Sequence, residues 1–165
     1  MRLLIFGNSG SGKSTLAKHL EKVTKIPHYD LDRIFWLDNN FQKTHPHKKS
    51  QKVVKEISFD DNWIIEGTYT HLLKAAKDRA SVMIWLNKPS RECIKNSILR
   101  EGSISDFRRS RINEYYDRKN GTSYKSHFQL WNSFSKSKYK INSNSYCIKF
   151  FCEGLLEHAS VETFY

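Results

Sequence analysis

The sequence predicts an α/β fold of three layers, a central parallel sheet of about five strands between layers of helices. Two observations lead there. Short apolar runs of strand length alternate with stretches of helical spacing over the first hundred residues. One of those runs, Ser81 to Leu86, is apolar almost throughout, as a strand covered on both faces must be.

The first strand is Arg2 to Phe6, and Leu16, Ala17, Leu20 and Val23 then recur at helical spacing. Between them lies Gly7-Asn8-Ser9-Gly10-Ser11-Gly12-Lys13-Ser14-Thr15. Gly, four residues, Gly-Lys-Ser is the spacing of a phosphate-binding loop, and strand, loop, helix is the context that supports it. Gly7, Gly10 and Gly12 let the backbone curl until successive N–H groups point inward. The amides of residues 10–15, Ser11 and Thr15 among them, then face the phosphates of ATP. Lys13 reaches the β- and γ-phosphates as a cation, and the Ser14 hydroxyl is a ligand for Mg²⁺. The positive end of the following helix points at the same anion. The competing reading is a Gly/Ser-rich turn that binds nothing.

His28 to Asp32 reads as a short second strand, with Asp30 and Asp32 on one face and Asp32 at its carboxyl end. In open α/β sheets that edge lines the ligand crevice, where a carboxylate can take or hold the proton of a substrate hydroxyl. A helix cap or a surface acid are the alternatives. Phe35 and Trp36 follow, either as core or as a platform for a planar acceptor, and packing is the commoner fate of such residues. Pro46 opens a helix over Lys48 to Phe59, with Val53, Val54 and Ile57 on one side. Trp63 to Gly67 is a third strand, and Glu66 at its end is the expected acid beside Mg²⁺.

Thr68 to Arg79 contains a short helix, and Ser81 to Leu86 is the fourth strand. Pro89 ends it, and a helix runs from Ser90 to Arg100 with Ile94, Ile98 and Leu99 as its apolar side. Residues 100–125 are poor in apolar side chains and carry Arg100, Arg108, Arg109, Arg111 and Arg118. Such a segment suits a lid that excludes water and stabilises charge on a transferred phosphoryl group, or else an exposed charged helix. Phe128, Leu130, Trp131 and Phe134 form an aromatic helix. Lys136, Lys138 and Lys140 alternate with Ser and Tyr as a solvated or nucleic-acid-facing surface. Tyr146 to Phe151 reads as the last strand and Glu153 to Phe164 as a weak helix.

The chain has 165 residues, a net charge of +11 and three cysteines. This length suits one domain, with a substrate segment near 32–60 and a lid near 100–125. The cysteines form no disulfide framework, no run approaches the roughly 20 apolar residues of a membrane span, and the first strand leaves no room for a signal peptide. A cytoplasmic location is expected. Residues 88–149 hold fourteen Lys/Arg against five Asp/Glu, which attracts anions from nucleotides to nucleic acid.

The order of parts resembles the adenylate-kinase-like P-loop kinases, which include nucleoside, nucleotide and shikimate kinases and share the P-loop NTPase fold. Four segments are also similar to the small family labelled DNA topology modulation proteins (FlaR-like). They are Gly7 to Thr15, Leu31-Asp32-Arg33 with Trp36, Trp63 to Tyr69, and Val82 to Leu86. The chain departs from that family in carrying Glu66 where Asp is common, and Asn96 where an Arg is usual.

The kinase resemblance implies transfer of the γ-phosphate of ATP to a small acceptor: a nucleoside, a nucleotide or a hydroxy acid. Lys13 would hold phosphate, and Ser14 with Glu66 would position Mg²⁺. Asp32 would orient or deprotonate the acceptor, with Arg33 and Trp36 binding it. Arg100 and one of Arg108, Arg109 or Arg111 would stabilise transition-state charge. The family label implies instead a nucleotide-binding, DNA-associated protein, for which the chain shows no DNA-binding motif.

Overall fold

The computed structural model describes residues 1–37, 42–115 and 122–142. Five strands form one parallel sheet in the order β2-β3-β1-β4-β5. They are β1 (Arg2–Gly7), β2 (His28–Asp30), β3 (Trp63–Gly67), β4 (Val82–Leu86) and β5 (Ser137–Ile141). The helices are α1 (Lys13–Thr24), α2 (Leu31–Phe35), α3 (His47–Ser58), α4 (Thr70–Lys77), α5 (Ser90–Glu101), α6 (Asp106–Glu114) and α7 (Thr122–Asn132). No helix among the described residues is long and apolar enough to cross a membrane.

The period of two along the strands sorts side chains into two cores. Leu4 and Phe6 of β1 face the same side as Trp63, Ile65, Met83 and Trp85, and there meet Leu31, Val54, Leu72, Leu73 and Leu130. Leu3 and Ile5 face the other side with Ile64, Ile84 and Leu86, and are covered by Leu16, Ala17 and Leu20 of α1. Being buried on both faces is why β1, β3 and β4 read as continuous apolar runs.

Four expectations are corrected. The second strand stops at Asp30, two residues early, because the Asp30 carboxylate accepts from the Asp32 N–H at 2.9 Å and caps α2. Asp32 therefore sits in the first turn of a helix rather than at a strand end. In α5 the buried residues are Cys93 and Ser97, and Leu99 is 74% exposed, because this helix packs its small side chains close against the glycine-rich loop. Phe128 is exposed too, leaving Leu130 and Phe134 as the buried members of the aromatic segment.

The fifth described strand is Ser137–Ile141, where a lysine-rich surface was expected. It pairs with β4, Trp85 opposite Lys140 and Leu86 opposite Ile141. Its lysines turn back onto the protein. Lys136 Nζ donates to Ala80 O at 2.8 Å, Lys138 Nζ to Phe134 O at 3.0 Å, and Lys140 Nζ lies 4.1 Å from the centre of the Trp85 ring. The strand expected at 146–151, the weak helix beyond it, and Arg118 lie outside the described residues.

Candidate active site

The glycine-rich turn follows β1, the middle strand, at the carboxyl edge of the sheet where an open α/β fold places its ligand crevice. Its shape depends on Gly10. Its φ is +75°, and a Cβ there would lie 2.2 Å from Cys93 O of α5. Asn96 of the same helix donates from Nδ2 to Gly10 O at 2.9 Å. α5 thus supports the loop from outside, and Asn96 is one of its ties.

α1 begins at Lys13 with no side-chain cap and no acid in its first turn, so its leading amides face the concavity without an internal anion. Lys13 is 8% exposed, and its Nζ donates to Asn8 O at 3.0 Å. Ser11 Oγ is buried with no hydrogen-bond partner among the described residues. Lys88, also buried, places its Nζ 3.9 Å from where a Gly12 Cβ would be.

Glu66, the second-last residue of β3, is in register with Ile5 of β1 on one side and Asp30 on the other. It is 2% exposed. Burial raises a carboxyl, yet His28, Lys13 and Ser14 together outweigh burial and hold Glu66 below its ordinary value. His28 Nε2 stands 3.8 Å from Glu66 Oε1, beyond hydrogen-bonding distance, and neither buried atom has a partner among the described residues. An ionised, buried carboxylate oxygen with open coordination, close to Lys13 and Ser14, fits a hydrated Mg²⁺. No group of three or more His, Cys, Asp or Glu among the described residues could hold a metal by itself. A cation here would share its ligands with a phosphate, as Mg²⁺ in nucleotide sites does. Asp30, facing the same region, is raised by burial and next by the Glu66 charge.

Asp32, Trp36 and Tyr69 form a second group. The Tyr69 hydroxyl donates to Asp32 Oδ1 at 2.7 Å and accepts from Trp36 Nε1 at 2.6 Å. Phe35 is core, packed 4.5 Å from the Tyr69 ring, and meets Trp36 edge-on. Arg33 is exposed in the last turn of α2.

The arginine-rich stretch folds as α6 and comes down on the loop. Asn8 Nδ2 donates to Ile112 O at 2.9 Å, and Arg108 Nη2 approaches Ser9 Oγ at 3.4 Å. Arg108 also pairs with Glu101, to which Arg100 donates at 2.6 Å. Arg109 is exposed, and Arg111 faces Glu114 at 3.9 Å. Among the described residues Arg108 is therefore the arginine brought to the glycine-rich loop, and Arg100 is tied to it through their shared acid.

Below α6 lies a buried chain of hydrogen bonds. Trp85 Nε1 donates to Tyr115 OH at 3.2 Å, Tyr115 bonds His127 Nδ1, and His127 Nε2 bonds Thr68 O at 2.8 Å. Thr68 Oγ1 donates in turn to Gly7 O at 3.3 Å. Tyr69, His28, His127 and Asn8 were not singled out from the sequence. Only Asn8 and Tyr69 had a signal, one inside the glycine-rich motif and the other three residues past the acid of β3.

No family model matches the chain, and no curated protein matches it. Solved structures match it along nearly its whole length. A shikimate kinase from Acinetobacter baumannii in complex with shikimate aligns over 100% of this chain and 96% of that one, with TM-score 0.63 and 12% identity. A shikimate kinase from Aquifex aeolicus aligns over 96% and 98%, with TM-score 0.58 and 19% identity. A gluconokinase from Sinorhizobium meliloti aligns over 99% and 95%, with TM-score 0.63 and 12% identity. The likeness establishes the fold: this chain has the three-layer α/β P-loop fold of those kinases.

Proposed function

We propose that the chain is an ATP-dependent kinase that phosphorylates a small acceptor. The observation carrying this reading is the pairing of two sites at one sheet edge. The phosphate loop with Lys13 and Ser14 leads from β1, and Glu66 lies at the carboxyl end of the adjacent β3, one residue before its last. Asp32 follows from β2 on the other side of β3 and is held by Tyr69. The shikimate kinases and the gluconokinase that share the fold act on small hydroxylated molecules, as their names state.

Mg²⁺ bound with ATP would neutralise phosphate charge and fix the γ-phosphoryl group. Ser14 and Glu66 are the residues to hold it. Lys13 and the amides of residues 10–15 hold the phosphates, Lys13 exchanging its bond to Asn8 O for phosphate oxygen. Asp32 receives the acceptor hydroxyl and takes its proton, or orients it by hydrogen bond. Arg108 covers the loop from α6 and faces the charge that develops during transfer. Most of the acceleration comes from positioning and electrostatics, with about 10²–10⁴-fold from the general base.

The deciding experiment is ADP release from Mg²⁺-ATP against nucleosides, nucleoside monophosphates and small hydroxy acids, with Lys13→Ala as control. Acceptor-dependent release that the substitution abolishes establishes the kinase. ATP binding with no acceptor response across the panel favours the second reading, a nucleotide-binding DNA-associated protein. That reading rests on the resemblance to the DNA topology modulation family and on the +11 charge. It requires tight duplex binding at ~150 mM salt, where purely ionic contacts have weakened.

A further inference from the structure

A cavity of about 380 Å³ opens between the start of α4, α6 and α7. Its wall has two cations, Lys74 and Arg111, and four aliphatic hydroxyls, Thr68, Thr70, Ser123 and Ser126, and no carboxylate among the described residues. The first turn of α4 contains no acid and no side-chain cap, so its amide dipoles add to the positive field. His71 lines the same wall, with its Nε2 buried and lacking a hydrogen-bond partner among the described residues. Lys74 and Arg111 are both exposed, and among the described residues the acid paired with Arg111 is Glu114 at 3.9 Å, one turn along α6. A weak, solvated pair of that kind yields to an incoming oxyanion.

Tyr69 joins this cavity to Asp32. It lines the cavity, and its hydroxyl holds the Asp32 carboxylate. A molecule with a hydroxyl at Asp32 and a charged end reaching past Tyr69 would bring that end to Lys74, Arg111 and the hydroxyls. We infer that the cavity seats the oxyanion of the acceptor, and that the acceptor is a small polyhydroxylated anion, a sugar phosphate or a sugar acid. Arg111 supplies a planar fork matched to carboxylate or phosphate, Lys74 a mobile point charge, and the hydroxyls complete the ligand's hydrogen bonds. The size lies in the range of small-ligand pockets. The identity of the acceptor rests on the kinase reading; binding of the anion does not.

Calorimetric titration of the full chain tests it, in the presence of Mg²⁺-ADP, with D-ribose 5-phosphate and D-gluconate as probes and D-ribose and D-glucose as uncharged partners. At least one anion should bind at least ~10-fold tighter than its uncharged partner. Lys74→Gln and Arg111→Gln should each weaken it ~10-fold, the size of one lost charged hydrogen bond. Preference for the phosphate or for the carboxylate identifies which oxyanion the cavity takes. Because both residues are exposed, the variants should keep the thermal midpoint and the ADP affinity of the parent. Anions that bind no better than the neutral sugars, or affinities unmoved by both substitutions, overturn the inference while ADP binding stands. Failure of ADP itself to bind overturns the kinase reading instead.

Discussion

The only hydrogen of the Tyr69 hydroxyl is directed at Asp32 Oδ1, 2.7 Å away, and its oxygen is occupied by Trp36 Nε1 at 2.6 Å. Burial first, and the Asp32 charge next, push the Tyr69 pKa upward, so the phenol stays protonated and remains a donor. Asp32 is thereby held at one oxygen, and the other is the one that the proposed acceptor would meet.

Removing that hydroxyl separates positioning from packing. Tyr69→Phe keeps the ring against Phe35 but frees Asp32 to rotate. In acceptor-dependent ADP release, kcat should fall about 10-fold with the KM for ATP unchanged. Asp32→Asn should fall further, by about 10²–10⁴-fold if Asp32 is the base. A Tyr69→Phe protein with lowered thermal midpoint and parental kcat would show that the hydroxyl only braces the fold.

Glu66 is buried and held below its ordinary value, and its Oε1 has no hydrogen-bond partner among the described residues, as the proposed role beside a cation requires. Glu66→Gln conserves shape and removes the charge. Its affinity for ATP with Mg²⁺ should drop about 10-fold, while binding of ATP in EDTA should hold or improve because a negative charge near the phosphates is gone. Titration calorimetry in the two buffers reads the difference. Equal losses in both would move Glu66 from metal positioning to loop structure.

The strands of the sheet centre were legible because burial on both faces leaves an unbroken apolar record, as in Trp63 to Gly67 and Val82 to Leu86. The phosphate loop was legible because its geometry demands glycine at fixed intervals. β5 was not. It lies at the edge of the described sheet with only Ile141 buried, so its residues carry no apolar alternation, and its lysines read as surface. The end of β2 was missed by two residues because an Asp at a strand end and an Asp capping a helix look alike in sequence. The packing of α5 was misread for a similar reason: Cys93 and Ser97 are buried for smallness, which hydrophobic periodicity does not record. The contacts Asn8–Ile112 and His127–Thr68 join residues far apart in the chain, and no local pattern announces them.

Gly10 and Gly12 both have positive φ, +75° and +97°, but they differ in surroundings. A Cβ on Gly10 meets Cys93 O at 2.2 Å, whereas the nearest atom to one on Gly12 is Lys88 Nζ at 3.9 Å. Gly10→Ala must therefore push the loop off α5 and break the Asn96 bond. A loss of roughly 2–4 kcal/mol in stability is expected, with ADP binding abolished. Gly12→Ala carries only the backbone strain, roughly 1–2 kcal/mol. Urea unfolding of the two variants checks the order, and equal losses would mean that the close approach of α5 is not what shapes the loop.

His127 is fully buried, and its neutral form satisfies every member of its chain: Nε2–H donates to Thr68 O and Nδ1 accepts from Tyr115. Protonation would turn Nδ1 into a second donor and leave a charge in the core. Burial, partly opposed by the bond to Thr68, accordingly lowers its pKa to about 4 from an ordinary 6.5. Between these values the unfolded chain binds more protons than the folded one, so stability must rise with pH across the window and fall as pH drops through it. At pH 7 the contribution is present in full, of order 3 kcal/mol, and it is gone by about pH 4. Urea midpoints measured from pH 7.5 down to 4.5 should decline, and the decline should flatten in His127→Gln. That variant should also be less stable at pH 7 by roughly 1–3 kcal/mol, since a glutamine cannot reach both partners in the same geometry. The same slope in both proteins would place the titrating group elsewhere.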